Sequence, residues 1–308
     1  MAPPRFDIVI RGARLRARPD HVVDVAVAGG RIAAIGERLT GGASVEIDAR
    51  GGMVTESFVN PHLHLCKAWT RGMMDDAAGR DYQAAGMGRA MSAIERAAAV
   101  KARYDESWIT PNARRAAALA ALHGNLHIRA LADVDGRARL EGVKALLRVR
   151  EEFRGIVDIQ VVAFAQDGIV REPGAAELLR QAMALGADVV GGIPWIEYSD
   201  ADAAEHIRVC FELACDSGRD VSMLLDDAGD AGLRTLEAMA LEALRRGWQG
   251  RALAHHCRAM ALYPLPYFHR LVGTLKRAGV SMVSDPHTGP LHARVGELLA
   301  EGVNVCLG

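Results

Sequence analysis

The chain of 308 residues carries 37 Lys and Arg against 38 Asp and Glu, a net charge of -1, and is 50% hydrophobic and 24% charged. This is enough apolar material for about two domains, or one barrel with an appendage. The balanced charge leaves no field to attract a polyanion, and aromatics at 5% supply few stacking platforms. A nucleic-acid or anionic-membrane binder is not expected. No apolar run approaches a membrane span, and the opening MAPPRFD lacks the basic-then-apolar order of a signal peptide, so a cytoplasmic enzyme is the expectation. Five scattered cysteines without a Cys-x-x-Cys pair read as reduced thiols.

The first fifty residues alternate short β-type runs with turns, predicting strands over 7–11, 22–28, 31–35 and 44–48. A small N-terminal β-domain is therefore placed at 1–52, followed by a second domain at 53–308. There, β-branched segments at 53–65, 126–134, 157–165, 187–193, 220–225, 251–256, 280–284 and 303–307 alternate with amphipathic stretches. The helical stretches are 113–123, 140–153, 175–185, 203–215, 233–246, 267–278 and 293–301. Eight strands with helical crossovers and no glycine-rich phosphate loop predict an α/β fold of the (β/α)8 barrel type. The sequence ends on the eighth strand, so the last barrel helix and a C-terminal segment are expected to lie beyond it.

The most specific local signal is Pro61, His62, Leu63, His64, Leu65 at the end of the first barrel strand. Residues i and i+2 of a strand share a face, so both imidazoles project at the rim where barrel sites form. They make half of a divalent metal site, or else two histidines packed in a barrel mouth. Such a pair on strand one, behind a small β-domain, resembles the amidohydrolase superfamily. The segments VDIQVVAFAQDGI (157–169), LGADVVGGIP (185–194) and EGVNVCLG (301–308) resemble its cytosine deaminase family.

That resemblance implies hydrolytic deamination by one divalent ion, zinc or iron, held by two strand-one histidines, a strand-five histidine and a strand-eight aspartate. His62 and His64 match the first two ligands, Gln166 matches the substrate glutamine, and His256 matches a histidine that hydrogen-bonds the reacting centre. The family's strand-eight aspartate would fall just past Gly308. The strand-five His-x-x-Glu motif is replaced by Leu224, Leu225, Asp226, Asp227. Leucine offers no lone pair, so a mononuclear site would recruit another ligand, with His256, Cys257 and the Asp285, Pro286, His287 segment as candidates, or accept weaker binding. Asp227 could do the glutamate's proton transfer with a side chain one methylene shorter, or could cap the next helix together with Asp226 and Asp230. Cys66 reads as a small apolar filler. Trp195 and Glu197 could line a substrate pocket or pack at a strand end.

The sequence therefore predicts a metal-dependent hydrolase of a C–N bond in a small nitrogen heterocycle or cyclic amide, using metal-activated water. Its partner would be a small-molecule substrate, and homo-oligomerisation is left open. The alternative is a homologue with an altered or lost metal site that binds a ligand or runs different chemistry.

Overall fold

The computed structural model of the protein describes residues 6–73, 98–286 and 290–308, so His287 lies outside the described residues. The chain divides into two compact units, Met1–Ser57 and Phe58–Gly308.

The first unit is a five-stranded sheet of β1 (Phe6–Leu15), β2 (Arg18–Ala28), β3 (Arg31–Gly36), β4 (Ala43–Asp48) and β5 (Met53–Val54). Its order is β3-β2-β1-β4, with β5 also on β1. β1 continues past the expected strand because it bulges between Ile10 and Ala13. Gly12 carries the bulge at a φ of 63°, a left-handed conformation that glycine adopts without a Cβ penalty. The Gly12 N–H donates to Oδ1 of Asp24 at 3.0 Å, while Oδ2 accepts from Leu39 N–H at 3.2 Å and Arg11 at 2.9 Å. Burial alone would raise the Asp24 pKa, but these donors hold it below the usual carboxylate value.

The second unit contains eight parallel strands in sequential order: β6 (Phe58–Leu63), β7 (Asn125–Asp133), β8 (Asp158–Ala165), β9 (Val189–Gly192), β10 (Asp220–Leu225), β11 (Ala252–His256), β12 (Ser281–Ser284) and β13 (Val305–Leu307). The single strand expected over 53–65 is divided, because Met53 and Val54 pair with Arg14 and Leu15 of β1 and the barrel strand begins at Phe58. At the seam the last strand meets the first: a Cβ added to Gly308 would fall 2.9 Å from that of His62. Crossover helices are α1 (Glu106–Leu122), α2 (Glu141–Glu152), α3 (Ala175–Ala184), α4 (Asp200–Ser217), α5 (Thr235–Arg245), α6 (Leu265–Ala278) and α7 (Val295–Ala300). α1 starts earlier than its apolar pattern suggests, because Asp105 caps it by accepting from Ser107 N–H and Pro111 is carried inside. No helix among the described residues is long and apolar enough to cross a membrane.

Period-two alternation sorts the strand residues into two apolar layers. On β8, Val161, Ala163 and Ala165 join the large core that includes the helix residues Leu146, Leu179 and Phe211, whereas Val162 and Phe164 join a separate cluster with Leu131, Val189, Ile193 and Leu224. Leu224 thus belongs to the second layer but is surrounded by carbon.

One consequence is testable in the full chain. Asp24→Asn should cost about 1.5 to 3 kcal/mol at neutral pH, the scale of hydrogen bonds to a charged acceptor. Because the folded pKa of Asp24 is lowered, its contribution is present above the unfolded carboxylate pKa and is lost as pH falls through the folded one. Denaturation curves of wild type and variant should therefore converge in acid; a gap independent of pH would remove the charge of Asp24 from the account.

Candidate active site

The chemistry-bearing side chains converge at the C-terminal ends of the strands. His62 is the penultimate residue of β6, and its Nδ1 lies 2.9 Å from Nδ1 of His255 on β11. Nε2 of His255 is in turn 2.6 Å from Ser222 Oγ. With the His255 proton given to Ser222, His62 can donate through Nδ1 and keep the Nε2 lone pair outward. Burial, then the neighbouring imidazoles, push the His62 pKa well below its ordinary value. The neutral form so favoured is the one that can ligate.

Two further groups close on His62. Donor atoms of His62, His256 and Asp285 all lie within 4.8 Å of one another. His256 Nδ1 is 3.6 Å from Asp285 Oδ2, and the His62 and His256 rings are 4.7 Å apart. His256 is aimed by backbone strain at the end of β11, with a φ of 65° followed by 49° at Cys257. Left-handed conformations in non-glycine residues cost of order 1 to 3 kcal/mol each. The bend is pinned by Cys257 N–H on Leu225 O at 3.1 Å and Ala259 N–H on Asp226 O at 2.9 Å.

His64 stands beside this set, its ring 5.1 Å from that of His62 and edge-on to Phe164. Its Nδ1 is 3.8 Å from Oδ1 of Asp133, a buried atom with no hydrogen-bond partner among the described residues. A carboxylate behind one imidazole nitrogen is the arrangement that turns the other toward a metal. Burial pushes the His64 pKa down to about 4, helped by Lys67 and resisted by Asp133.

Asp133 itself is fully buried. Oδ2 lies 3.1 Å from Lys67 Nζ and 3.6 Å from Lys101 Nζ, and these two ammonium groups hold its pKa far down against burial. Lys101 also meets Asp135 at 2.9 Å and Asp167 at 2.6 Å. Lys67 donates to Gln166 Oε1 at 2.8 Å, directly after β8. The sequence reading missed Asp133 and Lys101; a carboxylate at the end of a barrel strand is the signal that could have marked Asp133.

The strand-five aspartates have separate roles. Asp226 accepts from Thr235 Oγ1 at 2.6 Å, Thr235 N–H at 2.7 Å, Leu236 N–H at 3.2 Å and Tyr263 OH at 2.6 Å, tying the start of α5 to β10. Asp230 accepts from Gly232 N–H at 2.7 Å within the loop. Asp227 instead pairs with Arg258 and approaches His256 Nε2 at 3.9 Å. Burial pushes its carboxyl up to about 7 against the pull of Arg258.

Trp195 packs on the cluster containing Leu224 and Phe164, and its buried indole N–H has no partner among the described residues. Glu197 is occupied structurally, accepting the N–H groups of Ile169 (2.6 Å), Val170 (3.2 Å) and Arg171 (2.9 Å), while its Oε1 meets His206 Nδ1 at 2.7 Å. It ties the loop after Gln166 to α4. Cys66 is buried beside Tyr104, and burial pushes its thiol up to about 12, which fits packing better than reactivity. Glu197→Ala should cost about 3 to 5 kcal/mol, as for a buried pair deprived of one partner. Chemical denaturation measures this, and a loss below about 1 kcal/mol would mean that the loop is held by other contacts.

The geometry can be set beside known proteins. The model of the amidohydrolase family matches residues 45–308. N-isopropylammelide isopropyl amidohydrolase of Pseudomonas sp. (strain ADP) is 30% identical over 97% of this chain and 73% of its own length. Pterin deaminase of Rhizobium rhizogenes is 27% identical over 85% of this chain and 58% of its own. Among solved structures, 5-methylcytosine deaminase from Klebsiella pneumoniae superposes with a TM-score of 0.86 at 30% identity, covering 97% of this chain and 74% of that one.

Proposed function

The chain belongs to the amidohydrolase family, and from that premise we propose that it is a metal-dependent hydrolase cleaving a C–N bond of a small nitrogen heterocycle. The observation that carries this reading is the convergence of His62, His256 and Asp285 donor atoms within 4.8 Å, beside His64 with a carboxylate behind it. Three imidazole nitrogens and a carboxylate oxygen suit zinc or iron. Leu224, where the resemblance calls for a histidine, sits in an apolar cluster and takes no part. His256, which the resemblance assigns to the reacting centre, is given to the ion here because Asp285 faces its Nδ1.

Bound there, a divalent ion would act as a Lewis acid and make water a nucleophile at neutral pH. The protein's own groups do the rest. Gln166 and the indole N–H of Trp195 orient the ring by hydrogen bonds, and Phe164 with its apolar neighbours excludes bulk water. Asp227 takes the proton released as water adds to the ring carbon and returns it to the nitrogen that leaves as ammonia or an amine. A carboxyl held near 7 by burial exchanges protons in both directions near neutrality.

Elemental analysis of protein grown with zinc and iron should find about one divalent ion per chain. His62→Ala with His64→Ala should abolish it, and Asp285→Ala should weaken binding about tenfold or more. Wild-type protein that carries no ion and takes up none on titration would end this reading. On a panel of aminopyrimidines, aminotriazines and cyclic amides, Asp227→Asn should lower turnover about 100-fold or more while metal content stays unchanged; full turnover in that variant would remove Asp227 from proton transfer.

A further inference from the structure

The five-stranded sheet of the first unit covers one face and leaves the other bare. On the covered face Val9 and Ala26 form a small core with Phe6, against which Leu39 packs, and Arg11 bridges Asp24 and Glu46. The opposite face is read from the strand register. Ile32, Val27, Ile8 and Val45 are neighbours across β3, β2, β1 and β4, and Ile35, Val25, Ile10 and Ile47 make the next row. Residues in register share a face, and residues two apart along a strand repeat it; the register shift beside Ala26 lets Ile32 and Ile35, three apart, do the same. Both rows are wholly β-branched and aliphatic. The outer strands carry the exposure, with Ile32 at 66%, Ile35 at 49%, Val45 at 50% and Ile47 at 46%. Single apolar side chains are ordinary on a protein surface, whereas a contiguous sheet of them marks a surface that binds.

What fits these rows best is another pair like them. They hold no aromatic or arginine anchor and no charge with which a surface selects a foreign partner. Their composition is that of one inner layer of a β-sandwich, whose two sheets pack about 10 Å apart with strands nearly aligned. A two-fold axis brings identical faces together and asks only that the face be self-complementary. The open part of the two rows amounts to on the order of 500 Å² per copy, or about 1,000 Å² for two, which reaches the size of a specific interface. A net charge of -1 leaves little repulsion between copies.

We propose that two copies of this chain pair through the aliphatic face of the N-terminal sheet, each supplying β1 to β4 as one layer of a two-fold sandwich. The pairing is independent of the hydrolase reading, and its test is the state of association rather than turnover.

Sedimentation equilibrium of the purified 308-residue chain, over about 1 to 100 μM, should give twice its mass of 33.0 kDa, with a dissociation constant in the micromolar range or tighter. Ile32→Glu with Val45→Glu puts unpaired charges into the interface and should weaken association about 100-fold or more with unchanged circular dichroism. Leu122→Glu, at a side chain 76% exposed on α1, should leave association intact. Where the double variant fails to fold, hydrogen exchange of the wild type decides: amides of β3 and β4 should exchange more slowly as concentration rises through the dissociation constant, while those of the second unit stay unchanged. A chain that remains monomeric across the series, because another segment or a different partner covers the face or because it stays open, overturns the pairing. So does a dimer that survives the folded double variant, or one whose formation leaves exchange in β3 and β4 unchanged.

Discussion

A charged carboxylate sealed from water has to be surrounded by donors, and Asp133 imposes that requirement on the whole rim. It draws Lys67 and Lys101 inward against burial. Lys101 brings Asp135 and Asp167 with it, while Lys67 fixes the amide of Gln166. The remaining Asp133 oxygen looks at His64. One buried charge thus links residues following three strands, and removing a partner would leave the others uncompensated in a medium of low polarity.

The opposite side of the rim follows a different physical logic. His62, His255 and Ser222 form a chain of neutral groups in which each proton position constrains the next. Burial keeps His62 and His255 below their ordinary pKa values, so the chain stays neutral and His62 keeps its Nε2 lone pair for ligation. Beyond them, strain at His256 and Cys257 turns the end of β11 toward Asp285 and Asp227. The second apolar layer is filled by Leu131, Phe164 and Leu224. A histidine introduced among those carbons would need an ion or another polar partner to offset its desolvation.

The loops that carry these groups are themselves fastened. Glu197 gathers three backbone N–H groups of the segment after Gln166 and leans on His206. Asp226 fastens the start of α5 through two backbone N–H groups and the Thr235 hydroxyl. Gly192 has no side chain because a Cβ there would fall 2.0 Å from His206 Nε2. Acidic residues near a barrel mouth are therefore of two kinds here: Asp226 and Glu197, engaged by backbone N–H groups and fixed side-chain donors, and Asp227 and Asp285, turned toward His256 and Arg258.

Local chemistry in the sequence was sufficient for the order and type of the elements, because alternation of apolar residues and helix periodicity act over a few residues. It was also sufficient to put His62 and His64 at the end of one barrel strand, while Gln166, His256 and Asp227 entered as expectations from family likeness. It could not separate Asp226 from Asp227, since the partners that distinguish them, Tyr263 and Arg258, lie 37 and 31 residues away. Nor could it pair His62 with His255 across 193 residues or join Lys101 to Asp167 across 66. Those meetings depend on the parallel register that brings strand ends together. Only after that closure do burial and charge act between side chains, so the tertiary structure alone decided which carboxylates are structural and which lysine faces the rim.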